Sequence, residues 1–568
     1  MNKKLIIEFK DFSFQYFSQA EPTLHNINLK IYQGEKILIV GPSGSGKSTL
    51  GHCLNGLIPF SYKGNITGKL TVGGLETQDQ DIFKLSKQIG TVLQDSDGQF
   101  VGLTVGEDIA FAMENDNVNQ EEMKKRVLNV SKMVDMDRWL TNSPYELSGG
   151  QKQRTSLAGV MIDNVDALLF DEPLANLDPA TGKTAIEIID DIHEESNKTI
   201  IIIEHRLEDV LHRDIDRIIV MNDGRILADM NAHELVSSPI LIENGIREPL
   251  YVTALKYAGV KVTPDMKPGH IHTLETSHVS DKVYKWYQSI SKEIIKNTQP
   301  SIINMKDIFF EYDKNKPVLK HISFDIKRGE MVSIVGRNGA GKSTISKLLC
   351  GFEKESQGSI YYESKDIKDK TIKERAEIIG VVMQNPNQMI SKPMIYDEVA
   401  LGLKLRQVPE KEVKERVAQA LEICGLSPFV NWPISALSYG QKKRVTIASI
   451  LVLNPKIIIL DEPTAGQDYK HYSEIMEFLL EINKAGITVI MITHDMHLML
   501  EYTPRAIVIS DGEKIADAPS AFVLTDQKII RNANLKETSL YNLAQLVGIE
   551  DESSFVQSFI DYERQVRL

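Results

Sequence analysis

The chain has only three cysteines in 568 residues, Cys53, Cys350 and Cys424, too few for a disulfide framework and without the CxxC spacing of a zinc site. They read as small buried apolar residues of a reducing compartment. Long hydrophobic runs are missing as well. Aliphatic stretches such as Ile200 to Ile203 and Ile457 to Leu460 are far shorter than the roughly 18 residues that a membrane-spanning helix needs. The N-terminal stretch reaches Glu8 before any signal-type apolar region develops, so the expectation is a chain that stays in the cytoplasm. Positive charge is in deficit: the net charge of -13 disfavours broad binding to nucleic acid or anionic lipid. What remains is an ordinary globular composition, 42% hydrophobic and 25% charged, in a chain too long for one core.

The chain repeats itself. Gly41-Pro42-Ser43-Gly44-Ser45-Gly46-Lys47-Ser48 returns as Gly336-Arg337-Asn338-Gly339-Ala340-Gly341-Lys342-Ser343, 295 positions later. Leu147-Ser148-Gly149-Gly150-Gln151 returns as Leu437-Ser438-Tyr439-Gly440-Gln441, and Asp171-Glu172 as Asp461-Glu462, both 290 positions later. A near-constant offset marks a duplicated domain. The spacing predicts domains over 1–235 and 301–520, an appendage and linker over 236–300, and a C-terminal appendage over 521–568. Pro264, Pro268, Gly269 and Pro300 interrupt the linker, and Val283 to Tyr287 reads as a helical piece. His270, His272 and His278 lack the further ligands that a metal site needs and read as linker histidines.

Each G-x-x-x-x-G-K-S follows a β-branched apolar run, Ile37 to Val40 or Val332 to Val335, which gives the strand, loop and helix of a P-loop in an α/β domain. Its glycines let backbone N–H groups wrap a polyphosphate, and Lys47 or Lys342 meets the β/γ oxygens. Ser48 and Ser343 can ligate Mg2+. The runs Ala167 to Phe170 and Ile457 to Leu460 read as buried parallel strands ending in two carboxylates, where ligands bind in open α/β sheets. Asp171 and Asp461 suit the metal shell. Glu172 and Glu462 suit orienting or deprotonating the attacking water.

With these motifs in order, both halves resemble the nucleotide-binding domains of ABC transporters. The resemblance implies that Ser148, Gly149, Gly150 and Gln151, and Ser438, Tyr439, Gly440 and Gln441, form signature loops, each capping the ATP held by the opposite domain as the two halves pair within the chain. It further implies that Gln94 and Gln384 are Q-loop residues of the metal shell, that Asp178 and Asp468 belong to D-loops, and that His205 and His494 are switch histidines. Tyr16 and Tyr312 resemble the aromatic that stacks on adenine, and Thr49 and Thr344 complete the phosphate loops. The cofactors implied are ATP and Mg2+. The segments Gln94 to Phe111 and Gln384 to Leu403 resemble those of energy-coupling factor (ECF) and cobalt-type importer ATPases. That branch implies a peripheral subunit on the cytoplasmic side of the membrane, docked on a transmembrane component and a substrate-binding membrane component, with no nucleic acid partner. A tandem ATPase acting on ribosomes or nucleic acid, and a fused sugar-importer ATPase, are the alternatives. Within the docking segments, Phe100 and Val101 are expected to face the membrane subunit. Tyr439 in place of Gly149 predicts unequal sites, on the argument that backbone approach to a phosphate at a signature loop favours a residue tolerant of positive φ.

Overall fold

The computed structural model describes residues 4–93, 97–163, 165–175, 177–290, 298–464 and 467–567. The chain divides into two compact units, Met1–Lys285 and Trp286–Leu568, and the division falls inside the helix Ser280–Ser289.

The first unit is built on two sheets. A four-stranded antiparallel sheet orders Leu24–Tyr32, Leu5–Tyr16, Gly64–Val72 and Leu75–Glu76. A six-stranded sheet runs Arg225–Met230, Arg217–Asn222, Lys36–Val40, Thr199–Ile203, Ala167–Asp171 and Ile89–Val92, parallel except for its first strand. The central strands are β-branched and buried on both faces, as parallel strands covered on two sides must be. Ile37, Ile39, Ile201 and Ile203 pack toward Phe9, Phe12, Phe14 and Leu24 of the antiparallel sheet. Burying each such side chain contributes about 1.5–3 kcal/mol, so this layer anchors the strand ends that carry the chemistry.

A helical region, Val105–Asn115, Gln120–Met133 and Gly149–Met161, is inserted between Ile89–Val92 and Ala167–Asp171. Thr104 starts its first helix with a full capping box to Glu107. The second unit repeats the plan. Its six-stranded sheet orders Ile379–Val382, Ile457–Asp461, Thr488–Ile492, Met331–Val335, Arg505–Ser510 and Glu513–Pro519, and its inserted helices are Ile395–Leu405, Glu410–Ile423 and Tyr439–Leu451. Short helices follow the last strand in both units, Ala232–Ser237 in the first and Ser520–Val523 in the second. The helix anticipated around Val283 to Tyr287 is Ser280–Ser289, and its Trp286 meets Phe555 and Tyr562 edge-on at 6.1 and 5.5 Å. His270 is half-buried and contacts the His212 carbonyl at 2.6 Å through Nε2, a packing role within the first unit.

Candidate active sites

Each P-loop joins the central strand of its sheet to a helix, Lys36–Val40 to Lys47–Leu54 and Met331–Val335 to Lys342–Cys350. Gly46 and Gly341, at φ of 95° and 101°, turn the loop into the helix through left-handed conformations that a side chain would strain. Lys47 Nζ lies across the loop, donating to the Gly41 and Pro42 carbonyls at 2.7 and 2.9 Å; Lys342 repeats this with Gly336 and Arg337 at the same distances. Pro42, Ser43, Gly44 and Ser45, like Asn338, Gly339 and Ala340, form the loops themselves. Ser48 and Ser343 are exposed on the first turns of the two helices, where backbone N–H groups and the helix dipole favour an anion. Tyr16 and Tyr312 come to the same helices, their hydroxyls 3.2 and 3.5 Å from those of Thr49 and Thr344.

The strand-end carboxylates stand beside these loops. Glu172 and Glu462 are non-glycine residues in the left-handed region, at φ of 50° and 47°, a strain of about 1–3 kcal/mol that occurs twice at the same place. Each is held by a backbone bond to the neighbouring strand, Glu172 to the Ile203 carbonyl and Glu462 to the Ile492 carbonyl, both at 2.9 Å. Each also meets its switch histidine: His205 Nε2 lies 2.7 Å from Glu172 Oε1, and His494 Nδ1 lies 2.7 Å from Glu462 Oε1. For Glu172, burial pushes the pKa upward, but the His205 hydrogen bond and charge, with Lys47 and Arg206, outweigh it and hold the carboxyl below its ordinary value. That leaves an ionised acceptor beside a ring N–H.

Asp171 behaves oppositely. Burial, then the charges of Glu172 and Glu204, push it up to about 6. Its Oδ1 is buried without a hydrogen-bond partner, as suits an atom meant for a cation. Asp461 is also raised, by burial and Glu462, against Lys342, Lys443 and a hydrogen bond from Ser343. Ser48 with Asp171, and Ser343 with Asp461, offer hard oxygen atoms of the kind that Mg2+ takes. Gln384 follows the strand Ile379–Val382 and has an exposed side chain; its counterpart Gln94 lies outside the described residues.

The signature loops have nearly identical backbones. Ser148 and Ser438 cap the helices Gly149–Met161 and Tyr439–Leu451 with full capping boxes to Gln151 and Gln441. Tyr439 is no conformational obstacle: neither Gly149 nor Tyr439 has positive φ, and among the described residues a Cβ on Gly149 would meet Leu177 alone, at an ordinary 3.6 Å. The glycine that is sterically required is the next one, Gly150, where a Cβ would lie 2.5 Å from the Thr181 methyl. Gly440 begins the same turn in the second unit. Tyr439 is 40% exposed and donates from its hydroxyl to the Gln384 carbonyl at 3.2 Å. The D-loop acids Asp178 and Asp468 are buried N-caps of the following helices.

In the docking segment the structure corrects one residue. Phe100 is 8% exposed and belongs to the interior, because its neighbours turn outward: Leu103 is 82% exposed, with Val101 exposed beside it. Sequence reasoning missed what shapes this loop. Asp108 accepts from the Val101 and Gly102 N–H groups at 2.8 and 3.0 Å, and Glu398 does the same for Ser391 and Lys392 at 2.8 and 2.7 Å. The shared 290-residue offset was the available signal. It also missed Glu204, buried and accepting from Leu174, His205 and Arg206 N–H groups, and the buried Lys443.

A phosphate loop, a buried strand-end aspartate and a histidine-paired glutamate, present twice, define two nucleoside triphosphatase units. The chain matches the ABC transporter family model over residues 24–175 and 319–465, and a model described as ATP-binding cassette cobalt transporter over 238–310. A protein of Clostridium perfringens (strain 13 / Type A), named provisionally as an ABC transporter ATP-binding protein, is 62% identical over 100% of both chains. One of Enterococcus faecalis with the same description is 56% identical, again over 100% of both. Among solved structures, cbiO1 from Clostridium perfringens, described as part of the ABC transporter complex cbiONQ, is 37% identical over 44% of this chain and 100% of its own, with a TM-score of 0.40. The chain belongs to the ABC transporter ATP-binding proteins, with two ATPase domains in one polypeptide.

Proposed function

We propose that the chain is the energy-coupling ATPase of an ECF-type importer, taking up a vitamin or a transition-metal ion. The observation that carries this reading is the doubled hydrolytic site: both units hold a complete set of P-loop lysine, strand-end Asp-Glu pair and switch histidine in one chain. The cobalt-transporter model over 238–310 supports the branch. In this reading 1–235 and 301–520 are the ATPase domains, and each signature loop serves the nucleotide bound by the other. ATP binds through Gly41 to Thr49 and Gly336 to Thr344, with Tyr16 and Tyr312 beside the base. Mg2+, when bound by Ser48 and Asp171 with Gln94, or by Ser343 and Asp461 with Gln384, supplies charge neutralisation for the β- and γ-phosphate oxygens. Glu172, kept ionised by His205, and Glu462, paired with His494, orient and polarise the attacking water; Lys47 and Lys342 offset the charge of the leaving phosphates.

No helix among the described residues is long and apolar enough to cross a membrane, so transport requires membrane partners. The exposed Leu103 and Val101, on a loop set by Asp108, offer an apolar contact to such a partner at the cytoplasmic face. Co-expression with genes for ECF-type membrane subunits, followed by detergent purification and mass spectrometry of the bound small molecule, tests the assignment. The expected result is a stoichiometric membrane complex carrying one vitamin or metal ion. Quantitative sedimentation with ribosomes, and none with membranes, would favour the ribosome-acting alternative instead.

A further inference from the structure

Tyr439 and Lys443 stand four residues apart on the helix Tyr439–Leu451, so their side chains rise from one face. Both end on the same short stretch of backbone. The Tyr439 hydroxyl donates to the Gln384 carbonyl at 3.2 Å, while Lys443 Nζ donates to the Met383 and Gln384 carbonyls at 2.7 and 2.9 Å. Lys443 is only 1% exposed. Burying an ammonium is costly unless its charge is answered, and here the two carbonyls, with Asp461 and Glu462 nearby, answer it in part.

The helix of the first unit carries different residues at these two positions. At the positions 290 residues earlier it carries Gly149, which has no side chain to reach with, and Gln153, whose amide donates to the Pro173 carbonyl. The same helix face is therefore tied to different loops: to the residue after Asp171-Glu172 in the first unit, and to the segment bearing Gln384 in the second.

We propose that Lys443 and Tyr439 are positioning residues for hydrolysis at the second unit's own site, a strut that makes the Gln384 segment and the start of the signature helix move as one body. This rests on the reading of Gln384, Asp461 and Glu462 as that site's machinery. Gln384 leaves the strand Ile379–Val382, which pairs with the strand Ile457–Asp461 that ends at the carboxylates. Fixing its carbonyl fixes where its side chain can stand relative to Asp461. Because the same helix begins at Ser438, any shift of the signature loop is transmitted to Gln384. In the first unit the equivalent shift is transmitted to Pro173 instead. Two sites in one chain thereby acquire different internal linkages without different catalytic groups.

The test uses the full-length chain carrying Glu172→Gln, so that turnover reports the second site, with ATPase rates measured across ATP concentrations. Lys443→Gln, which installs the first unit's residue, should lower kcat about tenfold, the scale of a lost charge-assisted hydrogen bond, and leave KM for ATP within about twofold. Lys443→Arg should recover most of kcat, since a guanidinium also reaches two carbonyls. Tyr439→Phe should lower kcat about threefold, the scale of one neutral hydrogen bond. An unchanged kcat in Lys443→Gln, a change confined to KM, or a Lys443→Arg no better than Lys443→Gln would each overturn the strut. If Lys443→Gln does not fold, Tyr439→Phe decides alone, and a normal kcat there is sufficient to reject it. The double variant Glu172→Gln/Glu462→Gln separates the two layers: if it keeps the rate of Glu172→Gln, the site assignment fails rather than the strut.

Discussion

The two units hold the same proposed catalytic groups in differently charged surroundings. Beside Asp171 and Glu172 the first unit buries an acid, Glu204; beside Asp461 and Glu462 the second buries a base, Lys443, and has the neutral Thr493 where Glu204 stands. The acid helps push Asp171 up to about 6. The base opposes the rise at Asp461 and is itself lowered by burial to about 8. With Arg206 beside Glu172 and Asp495 in its place in the second unit, each unit has one such acid and one such base; duplication altered where they stand, and the second unit sets its cation, buried, beside both strand-end carboxylates, where negative charge accumulates if phosphoryl transfer occurs there.

The comparison breaks most visibly at the phosphate loops if the units are not both sites. Lys47→Ala and Lys342→Ala should each remove one of two ATP equivalents in titration calorimetry, with about a hundredfold loss at the altered site. Full stoichiometry and affinity in both variants would refute the P-loop assignment. A second contrast lies on the proposed docking surface, where the first unit exposes Leu103 and the position 290 residues on is Pro393. Leu103→Asp should leave the melting temperature within a few degrees yet reduce capture by membranes about tenfold, the cost of putting a charge into one apolar contact. Phe100→Asp should instead unfold the chain, because it buries an unpaired carboxylate. Equal melting temperatures for the two variants would show that Phe100 is not interior. The smallest effect is electrostatic: Glu204→Thr installs the residue of the second unit, whose hydroxyl accepts from the N–H two residues on, and removes one charge beside Asp171, which should raise first-site turnover about threefold. A decrease in turnover would mean that Glu204 supports the site rather than burdening it.

Much of this was legible in the sequence because the phosphate chemistry is done by motifs with short-range geometry. A loop that must turn through left-handed glycine and open a helix leaves Gly41 to Ser48 and Gly336 to Ser343 as its trace, and a buried strand ending in two acids leaves Phe170-Asp171-Glu172. The interior was less legible. Phe100 is expected outside from sequence because an apolar residue beside a loop has no period to show which way it points, and the turn is set by the carboxylates of Glu107 and Asp108 further along the chain. Tyr439 was read as a backbone problem, yet the helix N-terminus needs no positive φ at that position, and the ring's destination, the Gln384 carbonyl, lies 55 residues away in the chain. Long-range partners of this kind have no sequence signature.

The most direct test of unequal sites compares steady-state ATPase rates of Glu172→Gln and Glu462→Gln in the full-length chain, after calorimetry shows that both variants still bind two ATP. Glu462→Gln should cost several times more turnover than Glu172→Gln, since it removes the water-orienting carboxylate from the unit with the buried lysine. A loss with Glu172→Gln equal to or greater than that with Glu462→Gln would contradict the account.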